Sequence, residues 1–167
     1  LQRAGLVSAA IGVESFSDPV LGSMDKGRTE NGNLAAVELL VSHGINTRFN
    51  IVTGFPGETH HSFLHTLQQT EALLSTAQNS GSDCLLAMSV EPFCVMPGSR
   101  VYASPHQFGV EIERGLGAEY RDRIGEQVWE FVEQVPTSFK IQDTSAAEVH
   151  QRRRILESLA SDTNYWG

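Results

Sequence analysis

Apolar residues follow two alternating patterns along the first half of the chain. Val7 to Val13, Ile45 to Thr53 and Cys84 to Glu91 are dense in small and β-branched residues, which is typical of buried parallel strands. Between them, residues 33–43 and 59–77 carry apolar side chains at helical spacing. The sequence therefore predicts strand, helix, strand, helix, strand, with connections long enough for parallel crossovers. Because the first strand lacks alternation, we expect both of its faces to be covered.

The second strand runs into the turn Gly54-Phe55-Pro56-Gly57-Glu58-Thr59, which leads directly into a helix. Glycine permits backbone conformations and close approaches that a Cβ would block, and proline stiffens the turn. Thr59 suits the helix cap, and Glu58 suits the positive end of the helix dipole. An ordinary strand-to-helix turn is the alternative interpretation of this segment.

Polar or Gly/Pro residues follow each of the three predicted strands. They are Glu14-Ser15, Gly54 to Glu58, and Glu91-Pro92-Phe93. The C-terminal ends of parallel strands share one rim of the sheet, and ligand sites of α/β folds form at that rim. We therefore expect these three strand ends to converge on one site.

The composition changes beyond Gly109. Apolar residues from Tyr120 to Val135 repeat at helical spacing up to Pro136, and Thr144 or Ser145 is a candidate cap for a last helix to about Ala160, with Val149, Leu156 and Leu159 or Ala160 facing inward. These features predict two regions, a parallel α/β region over residues 1–109 and a helical C-terminal extension over residues 110–167.

The charge balance of the chain is acidic. Lys and Arg number 12 against 20 Asp and Glu, a formal net charge of −8. This argues against a general nucleic-acid-binding surface. The basic run Arg152 to Arg154 spreads around a helix and predicts a solvated face.

The two cysteines, Cys84 and Cys94, are too few for a disulfide framework and lack metal-ligand spacing. We expect buried free thiols and a cytoplasmic, reducing environment. No apolar run is long enough to cross a bilayer, so no membrane partner is expected. The sequence starts without Met or a leader, and we expect it to be part of a longer protein.

A series of short motifs runs through residues 1–109. In order, they are Ala4-Gly5-Leu6, Ile11-Gly12-Val13-Glu14-Ser15, Val20-Leu21 with Met24-Asp25-Lys26-Gly27, His43-Gly44-Ile45, Gly54-Phe55-Pro56-Gly57-Glu58-Thr59, and Met96-Pro97-Gly98-Ser99 with Phe108-Gly109. Together these motifs resemble the C-terminal half of the radical S-adenosylmethionine (SAM) enzyme barrel. The resemblance implies the fourth to sixth units of a partial (β/α)6 TIM-like barrel with parallel strands.

The resemblance also implies which residues bind SAM, although it indicates no catalytic residue. Glu14 or Ser15 is similar to the residue that hydrogen-bonds the ribose or amino-acid part of the cofactor. A carboxylate suits both parts, because hydroxyl and ammonium groups donate hydrogen bonds. The remaining implied SAM-binding residues are Val52, Thr53, Gly54, Phe55 and Pro56, whose backbone resembles the segment against adenine, and Glu91, Pro92 and Phe93, which resemble another wall of the pocket.

The carboxylates at the ends of the first two strands, Glu14 and Glu58, also have structural interpretations. Glu14 could form an ion pair at a strand end, and Glu58 is predicted to be a helix-start charge.

The CxxxCxxC loop that holds the four-iron four-sulfur cluster in this family does not occur in the sequence. The resemblance implies that the cluster ligands lie outside this chain, in a missing N-terminal half of the barrel. With that half, the enzyme would cleave SAM reductively to a 5'-deoxyadenosyl radical. Without it, no electron reaches the sulfonium bond, and we expect the chain alone to be inactive.

Two branches of the family share features with this chain. The turn at residues 54–59 resembles methylthiotransferases that act on tRNA, whereas Pro97-Gly98-Ser99 and residues 105–109 are closer to enzymes with an upstream cobalamin-binding domain. The acidic balance argues mildly against tRNA, so we favour the second branch. This implies cobalamin bound upstream, and methylation or methylthiolation of an unknown small-molecule or peptide substrate.

A non-catalytic α/β module that binds a nucleotide or phosphate at the Gly/Pro turn is the alternative function. A CxxxCxxC motif upstream in the full reading frame would favour the enzyme.

His60, His61 and His65 lack a third ligand at a recognisable spacing, so we expect solvent-facing side chains and no metal site. Lys26 and Arg28 are likewise predicted to be solvated.

A half barrel has a consequence for its first strand. In the isolated chain, without the rest of the barrel, we expect that strand to have an unpaired edge and exposed apolar faces, which would make the chain prone to aggregation.

Overall fold

The computed structural model describes residues 4–79, 84–114 and 136–161. The predicted order of strands and helices in the first half is confirmed, with boundaries within about one helical turn of those expected. The elements are β1 (Ser8–Glu14), α1 (Asp18–Met24), α2 (Glu30–Ser42), β2 (Asn46–Thr53), α3 (His60–Asn79), β3 (Leu86–Pro92), α4 (Arg100–Ala103), a 3-10 turn (Pro105–Phe108), β4 (Val110–Arg114), β5 (Pro136–Ile141) and α5 (Ala146–Ser161).

Strands β1, β2 and β3 form a parallel sheet in that order. The fold is therefore mixed α/β, with the helical connections that parallel strands require. In the described part of the chain β1 pairs only with β2, so it lies at an edge of the sheet, as expected. The C-terminal ends of the three strands share one rim.

Helices α2, α3 and α5 contribute to one core on one side of this sheet. Phe49 and Ile51 of β2 point into that core and meet Val37 of α2, Phe63 of α3 and Leu156 of α5. Each of these side chains is almost completely buried. Burial of one such side chain contributes roughly 1.5–3 kcal/mol. The last helix is therefore part of the main core.

The opposite side of the sheet is polar. In β1 the exposed positions are Ser8, Ala10 and Gly12, so the expectation that this strand is covered on both faces is wrong for the described structure. The register places Gly12 beside Asn50 and Asn50 beside Ser89. We call the side formed by Gly12, Arg48, Asn50, Val52, Ser89 and Glu91 the polar face. The exposed positions of β1 are small rather than strongly apolar, although Val7 just before it is 72% exposed.

The C-terminal extension is not purely helical, which corrects the prediction for residues 110–167. Strands β4 and β5 pair antiparallel, with Val110 opposite Ile141 and Ile112 opposite Phe139. The physical reason is the short alternation of apolar and polar residues in both segments, which favours half-buried strands. Pro136 begins β5, a position where its missing N–H is tolerated. The amphipathic helix predicted for residues 120–135 lies outside the described residues.

A second cluster of apolar side chains lies above the strand ends. It contains Phe55 and Val95 together with Val101 and Val110, and Phe93 and Phe139 pack against it. The ring of Phe93 lies edge-on to Phe55 at 5.1 Å and to Phe139 at 5.5 Å, an arrangement that aromatic pairs prefer. The rim is thus anchored to the β4–β5 pair.

The structure of helix α5 agrees in part with the prediction made for it. The Ser145 hydroxyl accepts a hydrogen bond from the Glu148 N–H at 3.2 Å and caps the helix, and Leu156 is fully buried. The solvated face predicted for Arg152 to Arg154 is wrong at Arg152, which is buried, and correct at Arg154. No helix in the described ranges is long and apolar enough to span a membrane.

Candidate functional site at the strand ends

Glu14, at the end of β1, has a backbone conformation that side chains other than glycine rarely adopt. Its φ is 66°, and the register of β1 against β2 shifts between Gly12 and Glu14. The Ser15 N–H donates to the Val13 carbonyl at 2.8 Å, which closes a three-residue turn on Glu14. Backbone strain of this kind costs about 1–3 kcal/mol and clusters at functional sites.

The strained turn directs the Glu14 carboxylate onto the polar face. A Cβ added to Gly12 would lie 2.6 Å from Glu14 Oε1, so the side chain folds back over that glycine. Oε1 accepts a hydrogen bond from Lys26 Nζ at 3.2 Å. The Glu14 side chain is 14% exposed and that of Lys26 is 50% exposed, so Lys26 is not simply solvated, whereas Arg28 is exposed as predicted.

Ser15 lies on the other side of the strand, in the core. Its hydroxyl bonds with Thr66 Oγ1 at 3.1 Å and accepts from the Ser17 N–H at 3.1 Å. The Asn33 amide donates to the Val13 and Ser15 carbonyls at 2.9 and 3.1 Å and fixes the strand end from α2. Of the two residues considered for the cofactor contact, the geometry therefore favours Glu14.

We expect Ser15→Ala to lower the free energy of unfolding by about 1–3 kcal/mol, because it leaves the buried Ser17 N–H without its acceptor. Ligand affinity at the strand ends should stay within about twofold of wild type, since the hydroxyl faces the core. Urea denaturation and ligand titration measure the two effects. Ser23→Ala, which removes an exposed hydroxyl bonded to the Pro19 carbonyl, is the matched control. If Ser15→Ala lost ligand affinity and Ser23→Ala did not, Ser15 would again be a candidate ligand-binding residue.

The loop from Gly54 to Glu58 is closed by its own residues. The Glu58 carboxylate folds back and accepts a hydrogen bond from the Gly54 N–H at 2.8 Å. Gly54 and Gly57 have φ of 79° and 88°, a region open to glycine. Thr59 accepts from the Ser62 N–H at 3.1 Å and caps α3, as predicted.

The prediction of Glu58 as a helix-start charge is wrong, because its side chain is only 2% exposed and pairs with Arg152 of α5. Arg152 Nη1 donates to Glu58 Oε2 at 2.8 Å and to the Glu58 carbonyl at 3.1 Å. Burial raises the pKa of Glu58, while the Gly54 N–H and the Arg152 guanidinium act in the opposite direction.

The polar face supplies further groups beside Glu14. Asn50 and Ser89 are neighbours in the register, and Val52 and Glu91 form the next pair toward the rim. The Ser89 hydroxyl is buried and has no hydrogen-bond partner within the described residues. An unpartnered buried hydroxyl of this kind fits a site that is completed by a ligand.

A cavity of about 800 Å³ is lined by residues from the strand ends, β5 and the start of α5. Three of the predicted site residues line it, namely Gly54, Pro92 and Phe93, together with Phe139 and Val149. Neither Glu14 nor Ser15 is among its lining residues. Its volume is within the range of small-molecule sites.

The structure thus distributes the predicted site residues over three places. Val52 and Glu91 belong to the polar face, and the Glu14 carboxylate lies over Gly12 on that face. Gly54, Pro92 and Phe93 line the cavity. Thr53, Phe55 and Pro56 are buried, with Phe55 in the apolar cluster above the rim. Glu14 and the 54–58 loop cap neighbouring parallel strands, as the sequence predicts, but of these residues Gly54 alone lines the cavity.

The described residues hold no group of three His, Cys, Asp or Glu side chains that could bind a metal ion. His60 and His61 are exposed as expected, whereas His65 pairs with Glu30 at 2.9 Å.

Neither cysteine forms a disulfide, but Cys94 is exposed and Cys84 is partly exposed, so the expectation of buried thiols is wrong. The residues present do not fit an iron-sulfur cluster.

Sequence reasoning missed Arg152 and Asn33, polar residues that hold strand ends from neighbouring helices. For Asn33, the sequence shows only a polar residue at a helix position that faces the core. Arg152 is 94 positions from Glu58, and a basic run on a helix gives no indication which arginine is buried.

With this geometry established, part of the chain can be related to known proteins. Residues 1–70 match the Radical SAM superfamily. The matched range contains Glu14 and the 54–58 loop. The mixed α/β architecture with its parallel sheet is consistent with a partial TIM-like radical SAM fold.

One curated relative has a name that describes a modification of tRNA. Over 58 residues the chain is 36% identical to tRNA-2-methylthio-N(6)-dimethylallyladenosine synthase of Sulfurihydrogenibium sp. (strain YO3AOP1). The aligned residues are 34% of this chain and 13% of that protein, so the chain spans a small part of the relative's length. Neither match supports the branch with a cobalamin-binding domain, which stays a prediction.

Proposed function

We propose that this chain is part of a radical SAM enzyme and that the C-terminal rim of its parallel sheet binds S-adenosylmethionine. The observation that carries the proposal is the radical SAM match over residues 1–70, within which the strained Glu14 turn and the Gly54 to Glu58 loop end adjacent strands.

Glu14 is the residue we assign to the polar end of SAM. Its carboxylate accepts hydrogen bonds, which the ribose hydroxyls and the ammonium group of SAM donate. The bare Cα of Gly12 leaves room for that carboxylate over the strand. Lys26 balances the carboxylate charge from the solvent side. The Ser89 hydroxyl is a further partner for a ligand on the same face.

The four-iron four-sulfur cluster that the family implies would, when bound, provide the reducing electron for cleavage of SAM. Two cysteines at positions 84 and 94 provide no ligand set for it in this chain. The cluster ligands therefore come, in this proposal, from a part of the enzyme outside this sequence, and the chain alone is expected to be inactive.

The proposal is tested with the full-length protein, prepared anaerobically with iron and sulfide, by measuring 5'-deoxyadenosine formed from SAM. Glu14→Gln should weaken SAM binding roughly 10- to 100-fold, the loss expected for a hydrogen bond to a charged group. Glu38→Gln, a change at an exposed carboxylate of α2, is the matched control and should bind as wild type. Equal SAM affinity in Glu14→Gln and wild type would contradict the assignment.

A tRNA substrate is the alternative to the small-molecule or peptide substrate implied by the cobalamin branch. It is favoured by the name of the relative and opposed by the net charge of −8 of this chain. Both substrates would receive a methyl or methylthio group. Binding of transcribed tRNA to the full-length protein, and its loss as salt rises, separates them.

A nucleotide- or phosphate-binding module without redox chemistry is the second candidate function. The glycine-containing turn before α3 favours it. SAM binding by the full-length protein without any 5'-deoxyadenosine, together with a reading frame lacking CxxxCxxC, would support the module over the enzyme.

A further inference from the structure

Arg152 connects the last helix to the loop at the end of β2. Its side chain is 5% exposed and that of Glu58 is 2% exposed, so the pair is removed from water. Nη1 donates to both the Glu58 carboxylate and the Glu58 carbonyl, and Nη2 donates to Glu148. A planar guanidinium makes these contacts together, which an ammonium group cannot do.

On the loop, the Glu58 carboxylate that binds Arg152 also makes a hydrogen bond within the loop. The same Glu58 oxygen that accepts from Arg152 accepts from the Gly54 N–H at 2.8 Å. Arg152 therefore acts on Gly54 through one shared oxygen atom. Its guanidinium also lies 5.4 Å from the centre of the Phe63 ring on α3.

A second contact of α5 supports the loop directly. A Cβ built on Gly54 would lie 2.5 Å from Val149 Cγ2, so the valine packs against the bare glycine backbone. Val149 and Arg152 are three residues apart and share one face of the helix. Helix α5 thus contacts the loop at Gly54 and at Glu58.

We propose that Arg152 is a positioning residue of the candidate cofactor site, which through Glu58 holds the Gly54 to Glu58 loop in its binding conformation. The C-terminal extension then takes part in shaping the rim. The assignment of SAM as the ligand rests on the proposed function, whereas the attachment of the loop to α5 does not.

Two measurements on the full-length protein test this. One is the hydrogen exchange rate of peptides covering residues 53–59, and the other is the SAM dissociation constant from equilibrium dialysis below the melting temperature of each variant. Arg152→Met should accelerate exchange in the loop and weaken SAM binding by about tenfold each, because misplaced binding groups lose affinity steeply. Arg152→Lys should restore part of both, since it keeps the charge but not the paired contacts.

Leu156→Ala is the matched control. Leu156 is fully buried on the same helix, one turn beyond Arg152, so this change weakens the core without touching the loop. It should leave loop exchange and SAM affinity within about twofold of wild type while the protein is folded. Equal effects of Arg152→Met and Leu156→Ala on both readouts would overturn the proposal.

Failure of the proposed function gives a different result. If wild-type protein binds no SAM but Arg152→Met still accelerates exchange in the loop and Leu156→Ala does not, the attachment of the loop to α5 is supported and its role in SAM binding is refuted. If wild-type protein binds SAM and Arg152→Met binds it equally well, the positioning role is refuted while the proposed function stands.

Discussion

Gly54→Ala is expected to lower the free energy of unfolding of the chain by about 2–5 kcal/mol. Two effects add at this position. The φ of 79° is strained for any residue with a Cβ, and that Cβ would lie within 2.5–3.2 Å of three atoms of Val149. Valine is stiff at χ1, so it cannot turn both methyl groups away at low cost. Urea denaturation followed by circular dichroism measures the loss.

Gly57→Ala separates the two effects. Gly57 has a similar φ of 88°, but a Cβ there would meet nothing within 4 Å. It should therefore cost only the conformational part, about 1–2 kcal/mol. Adding Val149→Ala to Gly54→Ala should recover part of the loss by removing the clash. Equal losses in Gly54→Ala and Gly57→Ala would show that α5 does not press on Gly54.

Local signals in the sequence predicted much of the fold. The apolar periodicity of the first 92 residues located β1, α2, β2, α3 and β3, because in each segment burial of one face dominates the choice of structure. Thr59 and Ser145 were recognisable as helix caps, since capping depends on residues within one turn. Parallel pairing then followed from the lengths of the connections.

Long-range contacts could not be predicted in the same way. Glu58 was predicted to be a helix-start charge because nothing near it in sequence identifies Arg152 as its partner, 94 positions away. The strands β4 and β5 are only 5 and 6 residues long, which is too short for alternation to stand out from neighbouring helical spacing. They also lie in the part of the chain where a helical pattern was expected to dominate.

The candidate site also combines a feature that local sequence predicts with features that depend on the folded structure. A polar residue at the end of β1 was predictable, but the choice between Glu14 and Ser15 depends on a register shift that turns one side chain to each face. The left-handed conformation of Glu14 is a property of the folded strand end, held by Asn33 and by the Ser15 N–H. Glutamate has no intrinsic preference for that conformation, so the sequence does not predict it.

The second large effect is expected for Arg152→Met, which should lower the free energy of unfolding by about 3–5 kcal/mol at neutral pH. Glu58 would then keep its buried charge with only the Gly54 N–H as a partner among the contacts described here. Arg154→Met is the matched control, because Arg154 is exposed on the same helix and its loss should cost less than about 0.5 kcal/mol.

The size of this loss should depend on pH through Glu58. Burial already raises the pKa of Glu58 above 4.5, and removing Arg152 takes away two influences that lower it. A carboxyl group with a raised pKa in the folded state stabilises the fold fully below its unfolded pKa, and that contribution is lost as pH rises through the folded pKa. The deficit of Arg152→Met relative to wild type should therefore be smallest near pH 4.5 and grow toward neutrality. Urea denaturation of both proteins across this range measures it, and a deficit that is independent of pH would show that the buried carboxylate is not its cause.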